Sequence, residues 1–101
     1  MGTEGTMITK QTAIKRFLAY CKRKPSRRIG TEFYQYQQDV YEMDDQNCKI
    51  RIFTKKSQFK VEHRMIIFHG KQDCERSGYP PISEISLTED EFEMLKNEYL
   101  K

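Results

Sequence analysis

The sequence predicts an α+β fold with an N-terminal helix, a three- to four-stranded antiparallel meander and a C-terminal helix. Three observations predict this class. Apolar residues recur with helical spacing near both ends of the chain, they alternate with a period of two between those ends, and turn-forming segments separate the alternating runs. Two helices packed on one face of a small antiparallel sheet bury such stripes in a single core.

Residues 8–101 are predicted to form one domain, and residues 1–7 to be a disordered leader or a cloning remnant. The opening MGTEGT is polar and precedes a second methionine. Of the 101 residues, 37% are hydrophobic and 33% are charged, so there is room for one thin core. Six Phe and six Tyr residues favour a folded chain, since each large ring buries about 150 to 250 Å².

The first helix is predicted to begin after Thr9, a residue type that caps helix N-termini, and to end at Pro25 and Ser26. The loop that leaves this helix is predicted to carry Arg27 and Arg28. Apolar residues in the helix recur at i, i+1, i+4, i+5 and i+8 and so form one stripe: Ala13, Ile14, Phe17, Leu18 and Cys21.

Residues 32–43, EFYQYQQDVYEM, fit either a strand or a helical face. We favour a strand, because the turn-forming DDQN at 44–47 follows and leads into the alternating run CKIRIFT. A second turn at 55–58 leads into FKVEHRMIIFHG, in which Phe59, Val61, His63, Met65 and Ile67 share one face and Gly70 closes the strand. Residues 71–81 are expected to be irregular, and residues 82–87, ISEISL, to add a short edge strand.

The last helix has the clearest local signal in the chain. Thr88 and Glu91 form a capping box, and Leu87 with Phe92 forms a hydrophobic staple around it. Phe92, Leu95 and Tyr99 mark the face of this helix that is expected to meet the core.

Charge lies along the chain in blocks of one sign. Residues 5–31 hold eight basic residues and no acidic one, whereas residues 32–46 hold five acidic residues and no basic one. Residues 49–71 hold seven basic residues against one acid, and residues 82–101 hold six acids against two lysines. The folded surface is therefore expected to have separate positive and negative regions.

The first basic block is the strongest functional signal. A solvated helix face ordinarily mixes both signs, whereas nucleic acid rewards a row of cations through counterion release without any base being read. The sequence therefore predicts a small, non-enzymatic module that binds nucleic-acid backbone, RNA or DNA, through seven residues of the helix and its exit loop: Lys15, Arg16, Lys22, Arg23, Lys24, Arg27 and Arg28. A basic face that meets only water is the alternative.

The predicted sheet carries a secondary basic face, with Phe53 and Phe68 at the matching alternate positions. Aromatic residues beside cations on an open sheet are typical of single-strand stacking platforms. We favour instead a solvent-facing layer in which the stems of the basic side chains cover the aromatic rings. The basic residues of this face are Lys49, Arg51, Lys55, Lys56, Lys60 and Arg64.

The two histidines do not indicate a metal site. His63 and His69 lie six residues apart, about 20 Å along a strand, which is too far for both to bind one ion. No metal and no cofactor are expected. His63 with Arg64 is the minimum pair for a small ribonuclease, but no second acid or base accompanies them, so an enzyme is not expected.

The main alternative to nucleic-acid binding is an accessory or inhibitor protein that binds one protein partner by charge complementarity. The acidic blocks suit a basic partner, although they could also neutralise the chain's own basic regions. Tyr34, Tyr36 and Tyr41 surround the first acidic block, and tyrosine is enriched at interface hot spots. These three residues are the candidates for protein docking.

The expected location is intracellular, in the cytoplasm. No run approaches the roughly 18 apolar residues of a membrane span, and no apolar segment near the N-terminus follows positive charge as in a secretion signal. Membrane partners are therefore not expected. Cys21, Cys48 and Cys74 are odd in number and widely spaced, which favours reduced thiols over a disulfide framework.

The predicted order of helix, strands and helix resembles the topology of the double-stranded-RNA-binding domain, and FLAYCKRK at 17–24 is similar to its first helix. That resemblance implies phosphate-binding lysines at the start of the second helix, where this chain has Glu89, Asp90 and Glu91. The segment ISLTEDEFEMLK resembles the last strand and helix of single-strand-binding coactivator domains through a generic capping pattern. Neither resemblance assigns the chain to a family.

Overall fold

Two helices and a five-stranded sheet make up the described part of the chain. The computed structural model describes residues 9–23, 26–34, 36–44, 49–68 and 82–101, with the backbone alone at 31–34 and 82. The predicted α+β class and both terminal helices are confirmed. The elements are α1 (Lys10–Arg23), β1 (Ser26–Tyr34), β2 (Gln37–Asp44), β3 (Lys49–Lys56), β4 (Val61–Phe68), β5 (Ile82–Leu87) and α2 (Glu89–Leu100).

The sheet is an antiparallel meander in the order β1-β2-β3-β4-β5. It has one strand more than the sequence predicts, because the single strand expected at 32–43 is replaced by two strands, β1 and β2, which pair antiparallel with each other. β1 begins at Ser26, where an exit loop was expected. It lies at the edge of the sheet, where Ile29 is 60% exposed, and a strand with so little burial shows no apolar alternation.

A β-bulge in β2 decides which side chains face the helices. Asp39 has a φ of 49°, in the left-handed region that Asp tolerates better than most residues, and the register against β3 shifts between Gln38 and Tyr41. The extra residue places Val40 on one face of the sheet with Phe53, and Tyr41 on the other face with the helices.

The first helix starts as the sequence predicts. The Oγ1 of Thr9 accepts a hydrogen bond from the Thr12 backbone N–H at 3.1 Å, which caps the N-terminus of α1. The predicted apolar stripe of α1 faces the core. Ala13 and Phe17 are buried, and Ile14, Leu18 and Cys21 are partly buried. Tyr20, which the stripe did not include, is also buried.

The predicted capping box and core-facing residues of the second helix are confirmed. The Thr88 hydroxyl accepts from the Glu91 N–H at 3.1 Å, and Glu91 Oε1 accepts from the Thr88 N–H at 2.8 Å. This reciprocal pair satisfies two donors that the first turn would leave unpaired. Phe92, Leu95 and Tyr99 are buried as expected.

The two helices run in the same direction across one face of the sheet. Lys10 Nζ of α1 lies 3.0 Å from Glu91 Oε1, so the helix N-termini are adjacent. Arg27 contacts carbonyls near both C-termini, at Cys21 and Tyr99. The main core lies between this helical layer and the strands and includes Phe17, Met43, Ile50, Ile52, Met65, Ile67, Leu87, Phe92, Leu95 and Tyr99.

The fourth strand begins later than predicted. Met65 and Ile67 are buried and His63 is half-buried on the helical face, as the two-residue period predicts. Phe59 and Val61 were expected to continue that face, but Phe59 lies in the β3–β4 turn and is 88% exposed. Most of the first predicted turn, Gly70 and the irregular segment 71–81 lie outside the described residues.

Among the described helices, none is long and apolar enough to cross a membrane.

Tyr99 joins α2 to the sheet through its hydroxyl. The phenolic O–H lies 2.9 Å from the Glu42 carbonyl and 3.2 Å from the Arg28 carbonyl, so one donor is shared between neighbouring strands. The ring is 1% exposed and meets Tyr41 edge-on at a centroid distance of 5.4 Å. Burial raises the pKa of Tyr99 to about 12, partly opposed by the nearby Arg27 guanidinium.

Tyr99 is expected to make the fold sensitive to alkali. Because the folded state binds the phenolic proton more tightly than an unfolded chain with a pKa near 10, this stabilisation is complete below about pH 10 and is lost as the pH rises towards 12. The loss amounts to about 2 to 3 kcal/mol. Urea unfolding between about pH 9 and 12 will therefore show a shallower decline for Tyr99→Phe than for the unaltered protein.

Tyr36→Phe removes an exposed hydroxyl and is the matched control for that experiment. Parallel declines for the unaltered protein and Tyr99→Phe contradict the assignment.

Candidate nucleic-acid interface

The outer face of α1 carries the basic residues predicted from the helix. Lys15, Lys22 and Arg23 are exposed, and Arg16 is half-buried. Lys15 and Lys22 lie seven residues apart, as do Arg16 and Arg23, so each pair spans about 10 Å along one side of the helix. Lys24 lies outside the described residues.

Most basic side chains elsewhere in the described residues form an ion pair with a carboxylate or a hydrogen bond to a carbonyl. Three basic side chains of α1 form neither with the described residues. Within the ranges that the structure describes, no carboxylate lies within 4.0 Å of Lys15, Arg16 or Lys22. The Arg23 guanidinium lies 5.4 Å from the centre of the Tyr20 ring. The ion pairs found are Lys10–Glu91, Arg28–Glu42, Lys49–Glu42, Arg51–Glu42, Lys60–Glu62, Arg64–Glu62, Arg64–Glu84, Lys96–Glu93 and Lys101–Glu98.

Arg27 is placed on a strand and used inside the fold, which corrects its expected position in an exit loop. Its Nη1 donates to the Tyr99 carbonyl and its Nη2 to the Cys21 carbonyl at 2.8 Å, while its guanidinium carbon lies 4.9 Å from the Tyr99 ring centre. These two carbonyls belong to the last turns of α2 and α1. Arg27 therefore caps both helix C-termini, a role in which little of its charge faces solvent.

Arg28 is also on β1 and not in a loop, and it projects from the opposite face of the sheet. Its side chain is 68% exposed, and Nη1 lies 3.9 Å from Glu42 Oε2. Arg28 pairs with Glu42 across β1 and β2, and Glu42 pairs with Arg51 across β2 and β3, so these three side chains share the face away from the helices. The predicted site is thereby divided between two faces.

The secondary basic face is largely neutralised by its own acids. Arg51 is 3% exposed and its Nη2 lies 2.6 Å from Glu42 Oε1, while its Nη1 donates to Gln37 Oε1 at 2.9 Å. Lys49 Nζ lies 4.0 Å from the same Glu42 carboxylate. A buried carboxylate and guanidinium in such contact satisfy each other, and removing one would leave a buried charge alone.

A second ion-pair cluster lies towards β5. Arg64 donates to Glu62 and, at 2.9 Å, to Glu84, while Lys60 Nζ lies 3.5 Å from Glu62. The hydrogen bond from Arg64 lowers the pKa of Glu62. Lys55 and Lys56 are the exposed members of the predicted secondary face that have no carboxylate within 4.0 Å in the described residues.

Phe53 and Phe68, the two rings proposed for base stacking on the sheet, do not form an open platform. Phe53 is 2% exposed and packs with Val40 and Ile66. Phe68 is half-buried, with the Arg51 guanidinium 5.3 Å and the Lys49 ammonium 5.8 Å from its ring centre. Both rings are therefore largely covered, whereas Phe59, which the alternating pattern assigned to a buried face, is 88% exposed.

His63 and Arg64 lie on opposite faces of β4, so they do not face one substrate. The His63 ring stacks on Phe92 at 4.6 Å, and its Nδ1 is 3.0 Å from Thr54 Oγ1. His63 borders an open groove of about 690 Å³, but Arg64 is held by glutamates on the other face. The ribonuclease hypothesis thereby lacks its phosphate clamp. His69 and Cys74 lie outside the described residues.

The tyrosines proposed for protein docking have different surroundings. Tyr36 is 59% exposed, whereas Tyr41 is half-buried with its ring edge-on to Phe92 and Tyr99. The Tyr41 ring thus contributes to the main core. The side chain of Tyr34 lies outside the described part of the chain.

Comparison with known proteins finds no matching family model, no matching curated protein and no matching solved structure.

Replacing Arg27 is expected to destabilise the protein rather than to alter its surface alone. Arg27→Met keeps the apolar stem but removes two charged hydrogen bonds, so the free energy of unfolding in urea is expected to fall by about 2 to 4 kcal/mol. Arg28→Met is the matched control, one residue away and largely exposed, and is expected to change stability by less than about 1 kcal/mol. Equal losses for the two variants contradict the capping role of Arg27.

Proposed function

We propose that the protein is a non-enzymatic module that binds nucleic-acid backbone through the outer face of α1. The observation that carries this proposal is the set of cations on that face, Lys15, Arg16 and Lys22, for which the described residues supply no carboxylate within 4.0 Å. Elsewhere in the described sheet and in α2, most cations are matched by acids of the same fold. Unmatched charges of one sign create a field that attracts a polyanion.

The proposed interface is smaller than the sequence predicts. Arg27 is used to cap the helices and Arg28 faces the other side of the sheet, so neither belongs to it. The residues that remain on α1 are Lys15, Arg16, Lys22 and Arg23. Contacts of this kind position a protein on phosphates without selecting a sequence, so binding is expected to depend little on base order.

The neighbouring helix limits how a polyanion can approach. The exposed first turn and outer face of α2 carry Glu89, Asp90 and Glu93, which would repel phosphates. Because the two helices lie side by side, the attractive surface is α1 and its side away from α2. This arrangement favours a ligand that runs along one helix rather than across both.

Charge reversal on α1 tests the proposal. The double variant Lys15→Glu/Lys22→Glu removes two of the four proposed contacts with phosphates and adds two negative charges that repel them. Its affinity for an oligonucleotide at about 0.1 M salt is therefore expected to be about 10- to 100-fold lower. The unaltered protein is expected to show a plot of log affinity against log salt with a slope between about −2.8 and −3.6, as four contacts predict. The double variant is expected to have a shallower slope.

Lys96→Glu/Lys101→Glu is the matched control, with the same change in net charge on the acidic helix. It is expected to bind nearly as well as the unaltered protein, because Lys96 and Lys101 are each paired with a glutamate of α2. Equal losses for the two double variants, or affinity that does not depend on salt, would refute an interface on α1. Absence of nucleic-acid binding together with tight association with a protein would favour the accessory-protein alternative.

A further inference from the structure

Phe59 is the most exposed large hydrophobic residue described in the structure. It lies in the turn between β3 and β4, and its exposed fraction is 88%. A ring placed there contributes almost nothing to the core, yet it exposes apolar surface to water. Val61, two residues later, is 56% exposed.

The turn holds Phe59 in a defined position. The Ser57 N–H donates to the Lys60 carbonyl at 2.9 Å, which closes the loop. The Ser57 hydroxyl oxygen accepts from the N–H groups of Phe59 and Lys60 at 3.3 and 3.2 Å. These bonds reduce the conformational freedom that a ligand would otherwise have to remove on binding.

The end of β3, next to this turn, carries two cations that have no carboxylate within 4.0 Å among the described residues. Lys55 and Lys56 are exposed, and no carboxylate of the described residues lies within 4.0 Å of either ammonium group. The side chain of Lys60 is 68% exposed and shares Glu62 with Arg64. The hairpin end at residues 55–61 therefore presents an exposed aromatic ring beside three lysines, of which Lys56 also borders the groove lined by Glu62 and Glu89.

We propose that Phe59 stacks on an unpaired nucleobase while Lys55, Lys56 and Lys60 attract the flanking phosphates, so that the ligand is single-stranded nucleic acid. This inference rests on the proposed function and narrows its ligand class. Bases inside a duplex are already stacked on each other and cannot reach a protruding ring, whereas unpaired bases stack on aromatic side chains whatever their sequence.

Lysines beside an exposed hydrophobic residue could also bind an anionic lipid surface, but a single phenyl ring is a poor membrane anchor. A myristoyl chain of about 14 carbons gives only marginal membrane binding, and one phenyl ring has about half as many carbons. Base stacking, in contrast, needs a single accessible ring. The chemistry of the turn therefore favours a nucleobase.

Phe59→Ala separates base stacking from backbone attraction. Its affinity for an oligothymidine of about 15 nucleotides is expected to be about 5- to 150-fold lower than that of the unaltered protein, which is the range for loss of one stacked base. Affinity for an abasic strand with the same phosphates is expected to be unchanged. Because Phe59 is exposed, the substitution leaves the core intact.

A fluorescence experiment locates the contact. The chain contains no tryptophan, so Phe59→Trp introduces a single reporter, which oligothymidine is expected to quench by stacking. Leu100→Trp, at an exposed position at the C-terminus of α2, is the control and is expected to be unaffected. A blue shift of the Phe59→Trp emission with phosphatidylserine vesicles, and no quenching by oligothymidine, would assign the turn to lipid and overturn the proposal.

The remaining outcomes separate this inference from the proposed function. If oligothymidine binding is lost in Lys15→Glu/Lys22→Glu but is unchanged in Phe59→Ala, the stacking site is wrong and the backbone interface stands. If Phe59→Ala loses affinity equally for oligothymidine and the abasic strand, base stacking is refuted. If the unaltered protein binds neither strand, both proposals are wrong.

Discussion

The contact of Arg27 with the ends of both helices is the constraint on which the arrangement of the fold depends. Parallel neighbouring helices bring like ends of their dipoles together, which is unfavourable unless opposite charges lie at those ends. Arg27 supplies a cation at the paired C-termini, and Glu89, Asp90 and Glu91 supply anions at the N-terminus of α2. Tyr99, beneath the Arg27 guanidinium, joins the same end of α2 to β1 and β2.

This arrangement sets the charge pattern of the surface. Because the basic helix and the acidic helix lie side by side on one face, the boundary between positive and negative regions runs through the helical layer. The opposite face of the sheet has a different character, since the carboxylate of Glu42 lies at the centre of a cluster with Arg28, Lys49 and Arg51. Among the described residues, positive charge without a carboxylate within 4.0 Å therefore remains on α1 and at the end of the β3–β4 hairpin.

Local sequence patterns predicted the elements whose signals lie within a few residues. The capping box at Thr88, the cap at Thr9 and the stripe of α1 depend on spacings of three to eight residues, and the structure confirms them. The pattern failed at β1, an edge strand with little burial, and at Phe59, where alternation was extended to residues before the start of β4. The two-residue alternation of apolar side chains does not by itself show where a strand begins or ends.

The sequence by itself determined the α+β class, both helices, the meander order and the one-signed charge of the first block. Only the tertiary structure decided which of those charges remain on the surface. Arg27 and Arg28 are adjacent and chemically alike, yet one caps two helices and the other faces solvent, because successive residues of a strand point to opposite faces. The capping role of Arg27 also depends on the Tyr99 carbonyl, 72 residues away in the sequence, which no local spacing reveals.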